Sequence, residues 1–137
     1  MKPDPKEEAQ RWLLQANNDL ESARFTMGGG FHAQACFMAQ QSAEKGLKAL
    51  VYRQGARYAR GHSIRGLLEG LLEPYPQLEQ YREMASRLDQ YYITPRYPNA
   101  LPEGGLAPFQ VFTQGQAREA LDGADGILRE VRQLLES

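Results

Sequence analysis

QQSAEKGLKAL, Gln40 to Leu50, decides how the rest of the chain is read. Wound as a helix, it sets Gln41, Glu44, Lys45 and Lys48 at spacings of three, one and three residues. That stacks four long polar side chains on one face. The stripe is either the wet side of an amphipathic helix or the lining of a site. Extended in both directions, the helix runs from about Phe31 to Gln54, with Ala35, Ala39, Ala43, Leu47 and Leu50 as an apolar stripe roughly opposite the polar one. Alanines at those positions predict close packing against neighbouring helices.

Gly28, Gly29 and Gly30 precede it and stop a first helix from about Pro5 to Met27, in which Trp12, Ala16, Leu20, Ala23 and Met27 recur at helical spacing. Beyond GARYARGH, Ser63 is an N-cap for a third helix through Leu67, Leu68, Leu71 and Leu72, ended by Pro74 and Pro76. A fourth is expected from about Gln77 to Tyr92. Thr94 to Phe112 then holds four prolines and two glycines, and a loop of that length inside a small domain is more often functional than idle. Thr113 and Gln116 form a capping-box pair, followed by Ala117, Leu121, Ala124, Leu128, Val131 and Leu135. Ala120, Ile127 and Leu134 broaden that face enough to serve a dimer. With no period-two alternation, the fold class is all-α: one domain over residues 1–137, an up-and-down bundle of about five helices with a long Pro/Gly-rich loop before the last.

The 137 residues suffice for a core without staples, and 42% hydrophobic with 24% charged residues is the composition of a globular protein. Cys36 is the single cysteine, so no internal disulfide forms and a reducing compartment is expected. MKPDPKEEAQ has no signal-peptide core, and no run approaches the ~20 apolar residues of a membrane span. A cytoplasmic location without membrane contact follows as an expectation. The net charge of −1 argues against non-specific coating of nucleic acid. Yet Lys45, Lys48, Arg53, Arg57, Arg60 and Arg65 follow one another without an acid between Lys45 and Leu68. Such a patch suits a nucleotide or a short stretch of RNA, or it is a solubilising surface whose countercharges come from elsewhere.

His32 and Cys36 lie four apart, but a structural metal wants more ligands than these, and no metal or cofactor is expected. The GGG turn joins two helices and lacks the Lys and Ser or Thr of a phosphate loop. Asp19, between Ala16 and Ala23, points inward and needs a cationic partner, either Lys45 or Lys48. Its role is to orient a ligand-binding lysine or to fix helix register, and Gln41 and Glu44 belong with it as structural polar groups. His62, at the mouth of helix three, is placed to act as a base or to accept a hydrogen bond. With Arg57 holding a phosphate it makes the minimum for metal-free RNA cleavage; otherwise it only caps the loop. Arg96 and Tyr97, between Pro95 and Pro98, are a stiffened pair able to hold a phosphate and stack a base, or equally to plug the end of the bundle.

Together WLLQANNDLESA (Trp12–Ala23), FHAQACFMAQQSAEKGLKAL (Phe31–Leu50), GHSIRGLLEGL (Gly61–Leu71), TPRYPNA (Thr94–Ala100) and AREALDGADGILREV (Ala117–Val131) resemble the HEPN domain, named for higher eukaryotes and prokaryotes nucleotide-binding. The resemblance implies a helical bundle and a homodimer or higher homo-oligomer. It also implies a prokaryotic setting in which such a protein is often paired with a minimal nucleotidyltransferase in a toxin–antitoxin-like module. Many members are RNases using Arg, four to six residues, then His near the final helix. No His follows Arg96 here, and only Arg57 to His62 meets the spacing, in a different connection. The expected function is therefore a nucleotide- or RNA-binding module, its groove lined by Lys45, Lys48, His62, Arg96 and Tyr97. The alternatives are a metal-independent endoribonuclease on Arg57 and His62, and a dimerisation or adaptor domain.

Overall fold

The computed structural model describes residues 4–137, and among these every regular element is helical. α1 spans Pro5–Gly28, opened by Asp4, whose carboxylate accepts from the Glu7 amide at 3.0 Å, and by Pro5 in the first turn. The chain reverses at Gly29 and Gly30, the latter at φ +88°, a value that favours glycine. α2, His32–Arg53, runs back antiparallel along α1, so that Trp12 meets Tyr52 while Asp19 meets Lys45.

α3 (Ile64–Leu71) is capped by Ser63, whose hydroxyl accepts from the Gly66 amide at 3.0 Å. A 3-10 helix over Pro76–Tyr81 leads into α4, Arg82–Asp89. The long connection that follows contains a 3-10 turn, Pro98–Ala100, and a single-turn helix α5, Pro108–Val111. α6, Gln114–Glu136, carries the expected capping box: the Gln116 amide donates to Thr113 Oγ1 at 3.2 Å and the Thr113 amide to Gln116 Oε1 at 2.9 Å.

The all-α class and the boundaries of the first, second and last helices agree with the sequence reading. Two expectations change. Among the described residues six α-helices form, because Pro108 starts one extra turn within the long loop. The fourth helix is also shorter than Gln77 to Tyr92: Pro76 opens a 3-10 segment, and α-helical winding is confined to eight residues.

α2 holds the centre of the bundle, enclosed by α1, α3 and α6. Its apolar stripe and half of its polar one are inside: Glu44 and Lys48 are buried together with Ser42, Ala39, Ala43 and Leu47, while Gln41 and Lys45 are partly exposed. Small side chains allow this. Ser42 donates to the Ala16 carbonyl of α1 at 3.0 Å, and Gly46 faces Leu128 of α6. The buried leucines and isoleucines of α2, α3 and α6 each contribute about 1.5–3 kcal/mol by leaving water. No helix among the described residues is long and apolar enough to cross a membrane.

Candidate functional site

Enclosing α2 divides its polar stripe into two groups. Toward α1, Lys45 Nζ lies 2.5 Å from Asp19 Oδ2, and Gln15 Nε2 donates to Asp19 Oδ1 at 2.9 Å. The acid on the inner face of α1 thus finds Lys45 rather than Lys48. Lys45 also borders a hollow of about 500 Å³ with Arg11, Trp12 and Gln15.

Away from α1, Lys48 Nζ lies 3.0 Å from Glu44 Oε2, with Glu44 only 4% exposed and Lys48 6%. A charged pair this deep needs further partners. Gln40 Nε2 approaches Glu44 Oε1 at 3.4 Å and donates to the His62 carbonyl at 3.1 Å, while Gln41 Nε2 donates to Gln40 Oε1 at 2.8 Å. The Lys48 ammonium also stands 5.8 Å from the centre of the Trp12 ring, which stacks on Tyr52. His62 Nδ1 completes the group, 3.3 and 3.4 Å from the two Glu44 oxygens.

His62 itself is more than half exposed, its side chain 57% accessible, with one face stacked on Tyr92 at 4.7 Å between centroids and 16° between planes. A carboxylate beside Nδ1 selects, in the neutral ring, the tautomer with the proton on Nδ1. That leaves Nε2 as the acceptor. Arg96 joins the same aromatic group. Its Nε donates to the Tyr92 carbonyl at 2.7 Å, and its guanidinium carbon lies 4.3, 4.8 and 5.0 Å from the ring centres of Phe37, Tyr92 and Tyr97. No carboxylate among the described residues pairs with Arg96. Its terminal nitrogens are held by rings and left for an external acceptor, the arrangement in which arginine forks onto phosphate.

Among the sequence-selected residues, the structure brings together Lys48, Glu44 and His62, and links His62 to Arg96 and Tyr97 through Tyr92. Lys45 and Asp19 stand apart from that group. Arg57 is exposed and forms no hydrogen bond or ion pair with a described residue. Phe37, Gln40 and Tyr92 escape the sequence reading. Tyr92 sits four residues before Arg96, a spacing that signals contact only where a turn continues, and prolines obscure that here. Cys36 is fully buried and its thiol is pushed up to about 12 by burial, so it stays protonated and a poor ligand.

What fixes His62 is Asp89. From the end of α4 its carboxylate accepts from Ser63 Oγ at 3.0 Å and from the Ile64 and Arg65 amides at 2.6 and 3.1 Å, closing the N-terminus of α3 beside the histidine. Asp89→Ala is expected to cost about 1–2 kcal/mol in urea unfolding. Broadened amide signals should follow over residues 60–65 in solution spectra. A sharp, unshifted set of those signals would contradict this anchoring role.

Residues 9–134 match the HEPN domain family. A protein of Methanocaldococcus jannaschii named "Putative toxin MJ1304" is 22% identical over 134 residues, covering 93% of this chain and 88% of that one. Among solved structures, TT1696 from Thermus thermophilus superposes with a TM-score of 0.86 at 43% identity, over 92% of this chain and 97% of that one. An HEPN domain protein from Thermotoga maritima gives 0.72 at 32% identity, over 92% and 98%.

Proposed function

The chain belongs to the HEPN domain family, and from that premise we propose that it is a nucleotide- or RNA-binding module with a toxin-like role, acting with a minimal nucleotidyltransferase as its partner. The observation that carries the reading is Arg96: a guanidinium packed among Phe37, Tyr92 and Tyr97, tied to a backbone carbonyl and left without a carboxylate. Holding an arginine in this way lowers the ordering cost of binding an anion. Beside it, the open face of His62 offers a surface on which a base stacks. Lys48 supports the site from behind, through Glu44, rather than by touching the ligand. The resemblance to proteins paired with nucleotidyltransferases and the toxin name of the archaeal relative support the partner and the role.

Fluorescence anisotropy with a labelled single-stranded oligoribonucleotide, competed by ATP, GTP and their monophosphates, tests it. Arg96→Ala is expected to weaken binding at least about 10-fold and to flatten the salt dependence by roughly one phosphate contact. Absence of binding by every probe, or equal binding by wild type and variant, removes the reading.

A second reading has its own support. The Nδ1 of His62 faces the Glu44 carboxylate, which is how an imidazole is oriented when its other nitrogen takes a proton. In a metal-independent endoribonuclease His62 would be the base, and Arg96, which reaches it through Tyr92, a better-placed phosphate holder than Arg57. Transfer RNA incubated in chelator with wild type and His62→Ala separates the readings: equal cleavage by both, or none, leaves binding alone.

A further inference from the structure

Given the nucleotide- or RNA-binding site proposed above, on which this step rests, we infer that Gln41 selects its base, the side-chain carbonyl taking the 6-amino group of an adenine. Gln41 stands outside the two ion pairs that occupy the rest of the polar stripe on α2. It is partly exposed, and Lys45, one turn further along the helix, is engaged by Asp19. Phe37, one turn earlier, packs on the Arg96 guanidinium at 4.3 Å. Side chains four apart on a helix stand about 5–6 Å from each other at Cβ, so Gln41 borders the ring that holds Arg96. Through Gln40 it is also two hydrogen bonds from the His62 carbonyl.

The polarity of this amide is set from inside the bundle. Gln40 is fully buried, and its nitrogen faces two acceptors, the Glu44 carboxylate paired with Lys48 and the His62 carbonyl, at 3.4 and 3.1 Å. The Gln40 oxygen must then point the other way, where it accepts from Gln41 Nε2 at 2.8 Å. A relay that begins at two acceptors thus turns the Gln41 oxygen away from Gln40. Nothing among the described residues donates to that oxygen, and the single buried side-chain atom left without a partner among them is His32 Nδ1. The Gln41 oxygen is therefore accessible, an oriented acceptor at the rim of the site with the second amide hydrogen beside it.

An amide edge of one acceptor and one donor complements the N6 amino group and N7 of adenine. Guanine presents O6 and N7 on the same edge, two acceptors against a carbonyl oxygen. Gln41 cannot exchange its ends to suit them without losing the bond to Gln40 and setting two oxygens against each other. A purine also covers more of the open face of His62 than a pyrimidine does.

Calorimetric titration with AMP, IMP and GMP reads the outcome, since on this edge IMP differs from AMP only in a carbonyl for the amino group. AMP is expected to bind about 10-fold tighter or more than either, the discrimination of one bidentate amide contact. In Gln41→Met, which keeps the length of the side chain, AMP should weaken until it lies within about 2-fold of IMP, with the helical circular dichroism unchanged. The wild-type comparison of AMP with IMP decides the matter if that variant does not fold. Equal binding of the three by wild type, lost in Arg96→Ala, keeps the site and overturns the role of Gln41. A preference for GMP or IMP, or a preference for AMP that survives in Gln41→Met, overturns it as well. No binding by any of the three, or binding indifferent to Arg96→Ala, is the failure of the underlying site and takes the selection with it.

Discussion

Lys48→Met is expected to lower the unfolding free energy by about 3–5 kcal/mol, measured by urea denaturation followed by helical circular dichroism. The shape of the side chain is nearly conserved, so the loss is electrostatic. Glu44 is 4% exposed and would be left with only Gln40 and His62 as partners, at 3.4 and 3.3 Å. Removing one member of a buried pair costs about that much because the other charge stays out of water. Removing both does not. The double variant Glu44→Gln with Lys48→Met should regain more than half of the loss, since a neutral amide can still accept from Gln40 and from His62. A single-variant loss below about 1 kcal/mol would show that water reaches Glu44 and that this part of the seam is surface. The same experiment bears on function, because Glu44 orients His62. In the double variant the fold is largely restored while the carboxylate beside Nδ1 is gone, so a change in ligand binding there reports orientation rather than stability.

The parts of this molecule legible in its sequence are those fixed by neighbours in the chain. The capping box at Thr113 and Gln116, the GGG reversal and the leucine and alanine spacing of α1 and α6 all act within one or two turns, and each formed as read. Asp19 was legible too, since a carboxylate between Ala16 and Ala23 has to be answered by a cation within reach, and Lys45 answers it. The remainder depends on residues far apart in the chain. Periodicity distinguishes two faces of α2 but not whether a third layer covers the polar one, and α3 with its preceding loop does so. Arg96 meets Phe37 across 59 positions, and Asp89 caps a helix that begins 25 residues before it. Composition carries no record of such meetings. The HEPN resemblance supplied only an expectation of ligand class and partner, while the placement of Tyr92 between His62 and Arg96 came only with the folded chain.

Leu128→Ala is the second large effect, about 3–4 kcal/mol, and its interest lies in what it does to Gly46. Leu128 is fully buried on α6, and a methyl group added at Gly46 of α2 would stand 2.3 Å from its Cδ2. That is closer than atoms pack, so the glycine is held small by the leucine and not by its own backbone, whose dihedrals are helical. Two opposing terms then act on Gly46→Ala. Alanine favours the helix over glycine by about 1 kcal/mol, whereas overpacking a filled core costs about 1–3 kcal/mol. In the wild-type background the second wins and the variant is less stable. Once Leu128→Ala has emptied the space, only the first remains and a new methyl also fills part of the cavity. Gly46→Ala should therefore change sign, stabilising the Leu128→Ala protein by about 1 kcal/mol or more, with a coupling of roughly 2–3 kcal/mol between the two sites. If Gly46→Ala costs the same in both backgrounds, the restriction at position 46 comes from elsewhere on α2, and the close approach of α2 and α6 is not what encloses Glu44 and Lys48.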